Sequence, residues 1–134
     1  MKVVALKDVR GTEREVHCPN GGFVSYRILL ERDRMGFSLH RTEIPVGPPQ
    51  HWHYKHHREA CYCIAGKGIL VNLTTGKAYQ IEPDVTYVLD AYDNHSFQAT
   101  EPVVLICTFN PPVTGTEVHD ADGSYPASSG WLHG

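Results

Sequence analysis

No stretch of this chain sustains an apolar residue every three to four positions, the period that would seat a helix against a core, and this absence constrains the fold more than any single motif. What recurs instead are short runs rich in Val, Ile, Thr, Tyr and Phe, broken about every ten residues by turn formers. Asn20-Gly21-Gly22, Met35-Gly36, Gly66-Lys67-Gly68, Thr75-Gly76 and Pro111-Pro112 supply the punctuation. Glycine reaches the left-handed backbone that tight turns need, and proline withholds the donor that strand pairing needs. The runs between them predict strands over 23–30, 37–44, 59–65, 69–73, 78–81, 85–89 and 103–109. Many short strands without helices expose edges, and closing the sheet into a barrel or sandwich removes them. With 134 residues, the chain fits one all-β domain around a single core.

Charge narrows the partners. Twelve Lys and Arg stand against fifteen Asp and Glu, a formal net charge of −3, with the signs interspersed. No basic stripe is present to track phosphates, so nucleic acid is not an expected partner. The apolar run at the start, 3–6, is too short for a membrane span or the core of a secretory signal, which predicts a cytoplasmic protein without a membrane partner. Cys18, Cys61, Cys63 and Cys107 show no CxxC spacing, and residues 61 and 63 of one strand share a face without lying in disulfide register, so reduced, packing thiols are expected. Neither GxGxxG nor GxxxxGK occurs, which argues against a nucleotide cofactor. Beyond Pro112 the β pattern ends, and 113–134 has the Gly, Ser, Pro and Asp content of a mobile segment. The expected organisation is a barrel over 1–112 with 113–134 as a tail of the same domain.

Chemistry concentrates in GPPQHWHYKHHREACYCIAG, residues 47–66, where four of the nine histidines fall within seven positions. Imidazole and carboxylate together suit Fe(II), Mn(II), Ni(II) or Zn(II), and ligands from different strands of a rigid barrel can hold such an ion. The spacing Gly47-x5-His53-x-Lys55-x3-Glu59-x6-Gly66 resembles the first motif of the cupin superfamily of small β-barrels, with Lys55 where a second histidine is usual. Downstream, Asp84-x5-Asp90-x-Tyr92-x2-His95 resembles the second cupin motif with its histidine kept. The fold this implies is a single-domain cupin barrel, a double-stranded β-helix or jelly roll.

A more specific resemblance covers nearly the whole chain. The run from His53 to Cys63, then Leu89-Asp90-x-Tyr92-Asp93-x-His95, then Phe109-Asn110-Pro111-Pro112-x-Thr114-Gly115-x-Glu117-Val118-His119-Asp120-x-Asp122-Gly123-Ser124-Tyr125 resembles the ectoine synthases, with Gly11-Thr12, Gly36-Phe37-Ser38 and Thr42 extending the match. Those enzymes are iron-dependent cupins, usually homodimers, that close N-γ-acetyl-L-2,4-diaminobutyrate into the compatible solute ectoine with loss of water. The resemblance implies a metal on Glu59, Tyr87 and His95. It implies catalytic roles for Tyr54, His57, Glu117 and His119, and a substrate held against Phe23, Arg27, His40, Thr42, Cys107 and Phe109. The implied cofactor is Fe(II), other divalent metals being compatible with the same donors. Generic cupin spacing nominates His53 as a ligand instead.

These roles make chemical sense. Attack of an amine on an amide carbonyl is slow because the amide is resonance-stabilised, and a Lewis acid would polarise that carbonyl. Protons must leave the amine and reach the departing oxygen, work suited to Glu117 with His119 or to Tyr54 with His57. Arg27 suits a substrate carboxylate through a bidentate pair. The tail would act as a lid that excludes water from the reacting amide. The chain also departs from the pattern it resembles: Phe23 stands where tryptophan is usual, His40 where asparagine is usual, and Asp84 where the turn has glycine. The first two alter the pocket wall, which keeps open a related N-acyl diamino acid or amide as substrate, or a cupin that only binds a small ligand.

Overall fold

A computed structural model of the chain describes residues 1–115 and 124–125. Eight strands carry it: β1 (Glu15–His17), β2 (Val24–Leu29), β3 (Ser38–Ile44), β4 (Gln50–Trp52), β5 (Arg58–Asn72), β6 (Ala78–Ile81), β7 (Thr86–Leu89) and β8 (His95–Asn110). Apart from 3-10 turns at Leu6–Asp8 and Glu31–Asp33, no helix occurs among the described residues, and none is long and apolar enough to cross a membrane.

All pairing is antiparallel, in the order β1-β2-β3-β8-β5-β6, with β4 joined to β8 and β7 to β5. The spine is the β5–β8 ladder, which runs from Arg58 opposite Asn110 to Asn72 opposite His95. Its first half is flanked by β3 and β7, its second by β4 and β6. One sheet thereby supplies both layers around the core. Residues alternate as a half-buried strand requires: Glu59, Cys61 and Cys63 of β5, with Leu105, Cys107 and Phe109 of β8, point inward, whereas Tyr62 and Ile64 point out.

Sequence punctuation predicted a turn at Gly66-Lys67-Gly68 and two strands around it. The structure has a single continuous strand there, because the glycines serve a close crossing and not a reversal. Gly66 has φ +81°, and a Cβ built on it would lie 1.9 Å from the carbonyl oxygen of Pro102. The ladder shifts register at Ala65, Lys67 and Gly68, which is the bulge that bends the spine over itself. Pro102 is tolerated inside β8 because it sits in that gap, where its missing N–H breaks no pairing. β1 and β4 have three residues each, too few to show alternation. Within the core, Trp52 stacks on Phe97 with centroids 5.9 Å apart and meets Phe23 edge-on at 5.6 Å. Contacts of this kind add about 0.5–1.5 kcal/mol each beyond area burial.

Candidate active site

The inward faces of β3, β5, β7 and β8 meet around one interior space. A void of about 20 Å³ there is walled by Phe23, His40, Thr42, Tyr54, Glu59, Tyr87, Cys107 and Phe109, together with Trp52 and Tyr125. Eight residues named from the sequence thus line one interior space. Tyr87 also lines an open cleft of about 640 Å³ whose wall includes His95, Leu89, Asp93 and Ile81. It therefore stands between the inner void and the cleft.

Strand geometry explains the acidic cluster. Glu59 and Cys61 are two apart on β5 and so share a face, and Cys107 is the direct cross-strand partner of Cys61. Glu59 oxygen and the two Sγ atoms all lie within 4.8 Å of one another. Burial pushes the Glu59 carboxyl up to about 7, against the opposing pull of hydrogen bonds from the Cys61 and Cys107 thiols. Burial likewise raises the Cys61 thiol and the Tyr87 and Tyr54 phenols. These are acids that burial keeps protonated, and a divalent cation among them would favour their anions.

His95 opens β8. Its Nδ1–H donates to the carbonyl of Asp93 at 2.9 Å, which fixes the tautomer and leaves Nε2 with the lone pair. That Nε2 is buried and has no hydrogen-bond partner among the described residues. Burial depresses its protonation, so the ring is held neutral. A neutral imidazole with one nitrogen anchored to a backbone carbonyl and the other bare is the arrangement of a metal ligand. Glu59 and Tyr87, named with it from the resemblance, are also buried, and oxygen and nitrogen donors of these kinds suit a divalent ion. Tyr54 lies between His95 and Phe109, with ring centroids 6.0 and 5.3 Å away. His53, the alternative ligand, is half-buried on the connection from β4 to β5.

Beside Tyr125, which lines the void, lies a buried cation. Arg27 is fully buried on β2; its Nη1 donates to the Gly115 carbonyl at 2.5 Å and its Nε to Ser25 Oγ at 3.4 Å. Its guanidinium lies 5.4 Å from the centroid of the Tyr125 ring. His40, equally buried, bridges two hydroxyls, with Nδ1 at 3.1 Å from Ser25 Oγ and Nε2 at 2.9 Å from Ser38 Oγ. Ser38 Oγ in turn accepts the Val113 N–H at 3.1 Å. Burial first, then the charge of Arg27, keeps His40 well below its ordinary value and therefore neutral. A relay thus runs from Arg27 through Ser25, His40 and Ser38 to the segment leaving β8.

The mouth is closed by aromatic contacts. Tyr125 packs on Tyr54 and Phe109 with centroids 5.0 and 5.5 Å apart, and Ser124 Oγ accepts the Lys55 N–H at 3.0 Å. His57 Nδ1 donates to the Pro111 carbonyl at 2.8 Å. Thr42 receives the Cys107 thiol at 3.8 Å. Glu117 and His119 lie outside the described residues. Sequence reasoning gave no role to Cys61, Trp52, Ser25 or Ser38, and marked Tyr125 only as part of the tail read as a lid. Cys61 could have been found, since a residue two beyond Glu59 on a strand must share its face.

The chain is similar to known proteins over nearly its whole length. The family model described as ectoine synthase matches residues 1–129. The L-ectoine synthase of Alkalilimnicola ehrlichii is 52% identical over 126 residues, covering 93% of this chain and 94% of its own. That of Wolinella succinogenes is 45% identical over 130 residues, covering 97% and 99%. The crystal structure of ectoine synthase from P. lautus superposes with a TM-score of 0.83 at 38% identity, covering 97% of this chain and 95% of that one. The cupin domain of Schizosaccharomyces pombe Cnp3, at 17% identity and TM-score 0.56 over 66% of this chain and 60% of that one, shares the fold alone.

Proposed function

The chain belongs to the ectoine synthase family of cupin-fold lyases, and from that premise we propose that it closes N-γ-acetyl-L-2,4-diaminobutyrate into ectoine with loss of water, using Fe(II) held by Glu59, Tyr87 and His95. The observation that carries this reading is the buried Nε2 of His95, with no hydrogen-bond partner among the described residues and anchored through Nδ1, on a ring that touches Tyr54, which lines the same interior void as the buried carboxyl of Glu59. Once bound, such an ion supplies Lewis acidity to the amide carbonyl.

The rest of the chemistry belongs to the chain. The free amine adds to the acetyl carbon, forming the ring C–N bond, and the carbonyl oxygen leaves as water as the C=N bond forms. Arg27, fixed by Ser25 and Gly115, offers a positive charge to the substrate carboxylate and so orients the flexible chain for attack. His57, anchored by its Nδ1–H to the Pro111 carbonyl, is the candidate to accept a proton from the amine. Tyr54, kept protonated by burial, can donate toward the departing oxygen. Phe23, His40, Thr42, Cys107 and Phe109 shape the space around the substrate, and Glu117 and His119 are further candidates for proton transfer from the tail. Ser124 and Tyr125, seated across the mouth, support a lid role for 113–134 that excludes water from the reacting amide. The barrel and this tail are read as one domain.

The protein is further read as a cytoplasmic homodimer. Tyr62, Ile64 and Val88 expose apolar surface on the outer sheet face, as a self-associating surface would. Light scattering that finds only a 15.0 kDa species would refute the dimer. The test of function is turnover of the acetylated diamine by iron-loaded protein, followed by NMR. Ectoine ring protons are expected with the intact chain and not with Glu59→Ala or His95→Ala, both of which should also lower metal content. His40, in the position where the resembled family has asparagine, favours one second reading, a related N-acyl diamino acid as substrate. A loaded, folded protein that leaves the first substrate untouched but converts the second would establish it.

A further inference from the structure

Two thiols stand inside this site without a share in the proton transfers. Cys61 and Cys107 face each other across β5 and β8, are both buried, and are both free. One buried cysteine is ordinary packing. Here two Sγ atoms and a carboxylate oxygen are turned toward one point, mutually within 4.8 Å, and the Tyr87 hydroxyl hydrogen-bonds Cys61. Three donors with a remaining position for water or substrate is the count of an open metal site, and thiolates select soft or borderline ions.

We propose that Cys61 and Cys107 form a second ligand arm of the metal centre, which with Glu59 binds a thiophilic divalent ion such as zinc or cadmium in place of the oxygen-and-nitrogen arm of Tyr87 and His95. Glu59 is common to both arms, so the two modes exclude one another. The inference rests on the reading of Glu59 as a metal ligand. It adds that the identity of the bound ion decides which strand partners hold it: β5 with β8 through sulfur, or β5 with β7 and the start of β8 through Tyr87 and His95. Zinc in the sulfur mode would block the site for iron.

Cobalt(II) reports the difference, because thiolate coordination adds sulfur-to-metal charge-transfer absorption in the near ultraviolet that oxygen and nitrogen donors do not give. The full chain, loaded anaerobically with cobalt(II), should show this band. Cys61→Ser and Cys107→Ser should each remove about half of it, the double variant should abolish it while cobalt is still bound, and His95→Ala should retain it. Added zinc should bleach it. Circular dichroism controls for folding, and serine keeps the side-chain shape without sulfur. Cobalt bound by the unaltered chain without the band, or a band that survives the double substitution, overturns the thiol arm and leaves the metal centre standing. A folded chain that takes up no cobalt overturns both.

Discussion

Gly66→Ala tests the bend on which the site depends. At φ +81° any side chain meets the left-handed penalty of about 1–2 kcal/mol. The new methyl would also lie 1.9 Å from Pro102 O, 2.5 Å from Pro102 C and 2.8 Å from Val103 Cα, all of them backbone atoms with no rotamer to escape into. β8 must retreat, and the flanking pairs Ala65 with Val104 and Lys67 with Glu101 are the ones that open. At about 1 kcal/mol for each lost hydrogen bond the total reaches about 4 kcal/mol, a loss large enough to threaten a domain of this size. Gly76→Ala is the control, since it has φ +77° and nothing within 4 Å of its Cβ, so it should cost only about 1 kcal/mol. With a urea slope of about 2 kcal/mol per molar, the Gly66 variant should unfold about 2 M earlier and the control about 0.5 M earlier. Unfolding followed by circular dichroism on both variants gives the comparison. If the two fall within about 1 kcal/mol of each other, β8 yields freely at Pro102 and the argument for a rigid, bent spine is wrong.

His40→Ala should cost about 3 kcal/mol in the same assay, because two buried hydroxyls lose their partner and a cavity opens beside Phe109; a loss below about 1 kcal/mol would mean the relay is not bearing on stability. The intact chain should also lose stability as pH falls below the ordinary histidine value of 6.5, since the folded ring protonates only at lower pH than the unfolded one. His40→Gln should flatten that slope, and an unchanged slope would assign it to other groups. Arg27→Lys keeps the charge but loses the fork that reaches Gly115 and Ser25 together. A fall in kcat/KM of about thirtyfold is expected, about 2 kcal/mol, mostly through KM; a change under about threefold would remove Arg27 from substrate binding.

Much of this was legible in the sequence, and the rest failed for identifiable reasons. β2, β3, β6 and β7 lie within the runs marked by β-branched and aromatic residues, because a half-buried strand writes its period directly into the chain. The join of 59–65 to 69–73 was hidden because a glycine at positive φ serves a tight turn and a close crossing equally well. Only the presence of Pro102 on the neighbouring strand distinguishes them, and that is a long-range fact. Among the candidate site residues, Glu59 and His95 were nominated by spacing, whereas Arg27 and Tyr87 entered only through resemblance. The serines that hold His40 carry no local signal at all, since a serine on a strand is ordinary until its partner across the sheet is known.

The β5–β8 spine also orders events in time. Glu59 and Cys61 lie near one end of each strand's pairing, His95 at the other, and β6 and β7 intervene in sequence before β8 begins. None of the candidate ligand sets is contained in a local turn or hairpin that could form first. Closing such non-local pairs is the slow step of β folding, so the ion cannot act as a nucleus in the way that zinc does for small domains whose folding it drives. With a metal held as proposed, its acquisition would follow folding as a separate, later maturation event, and a cell short of that metal would accumulate finished barrels awaiting their ion.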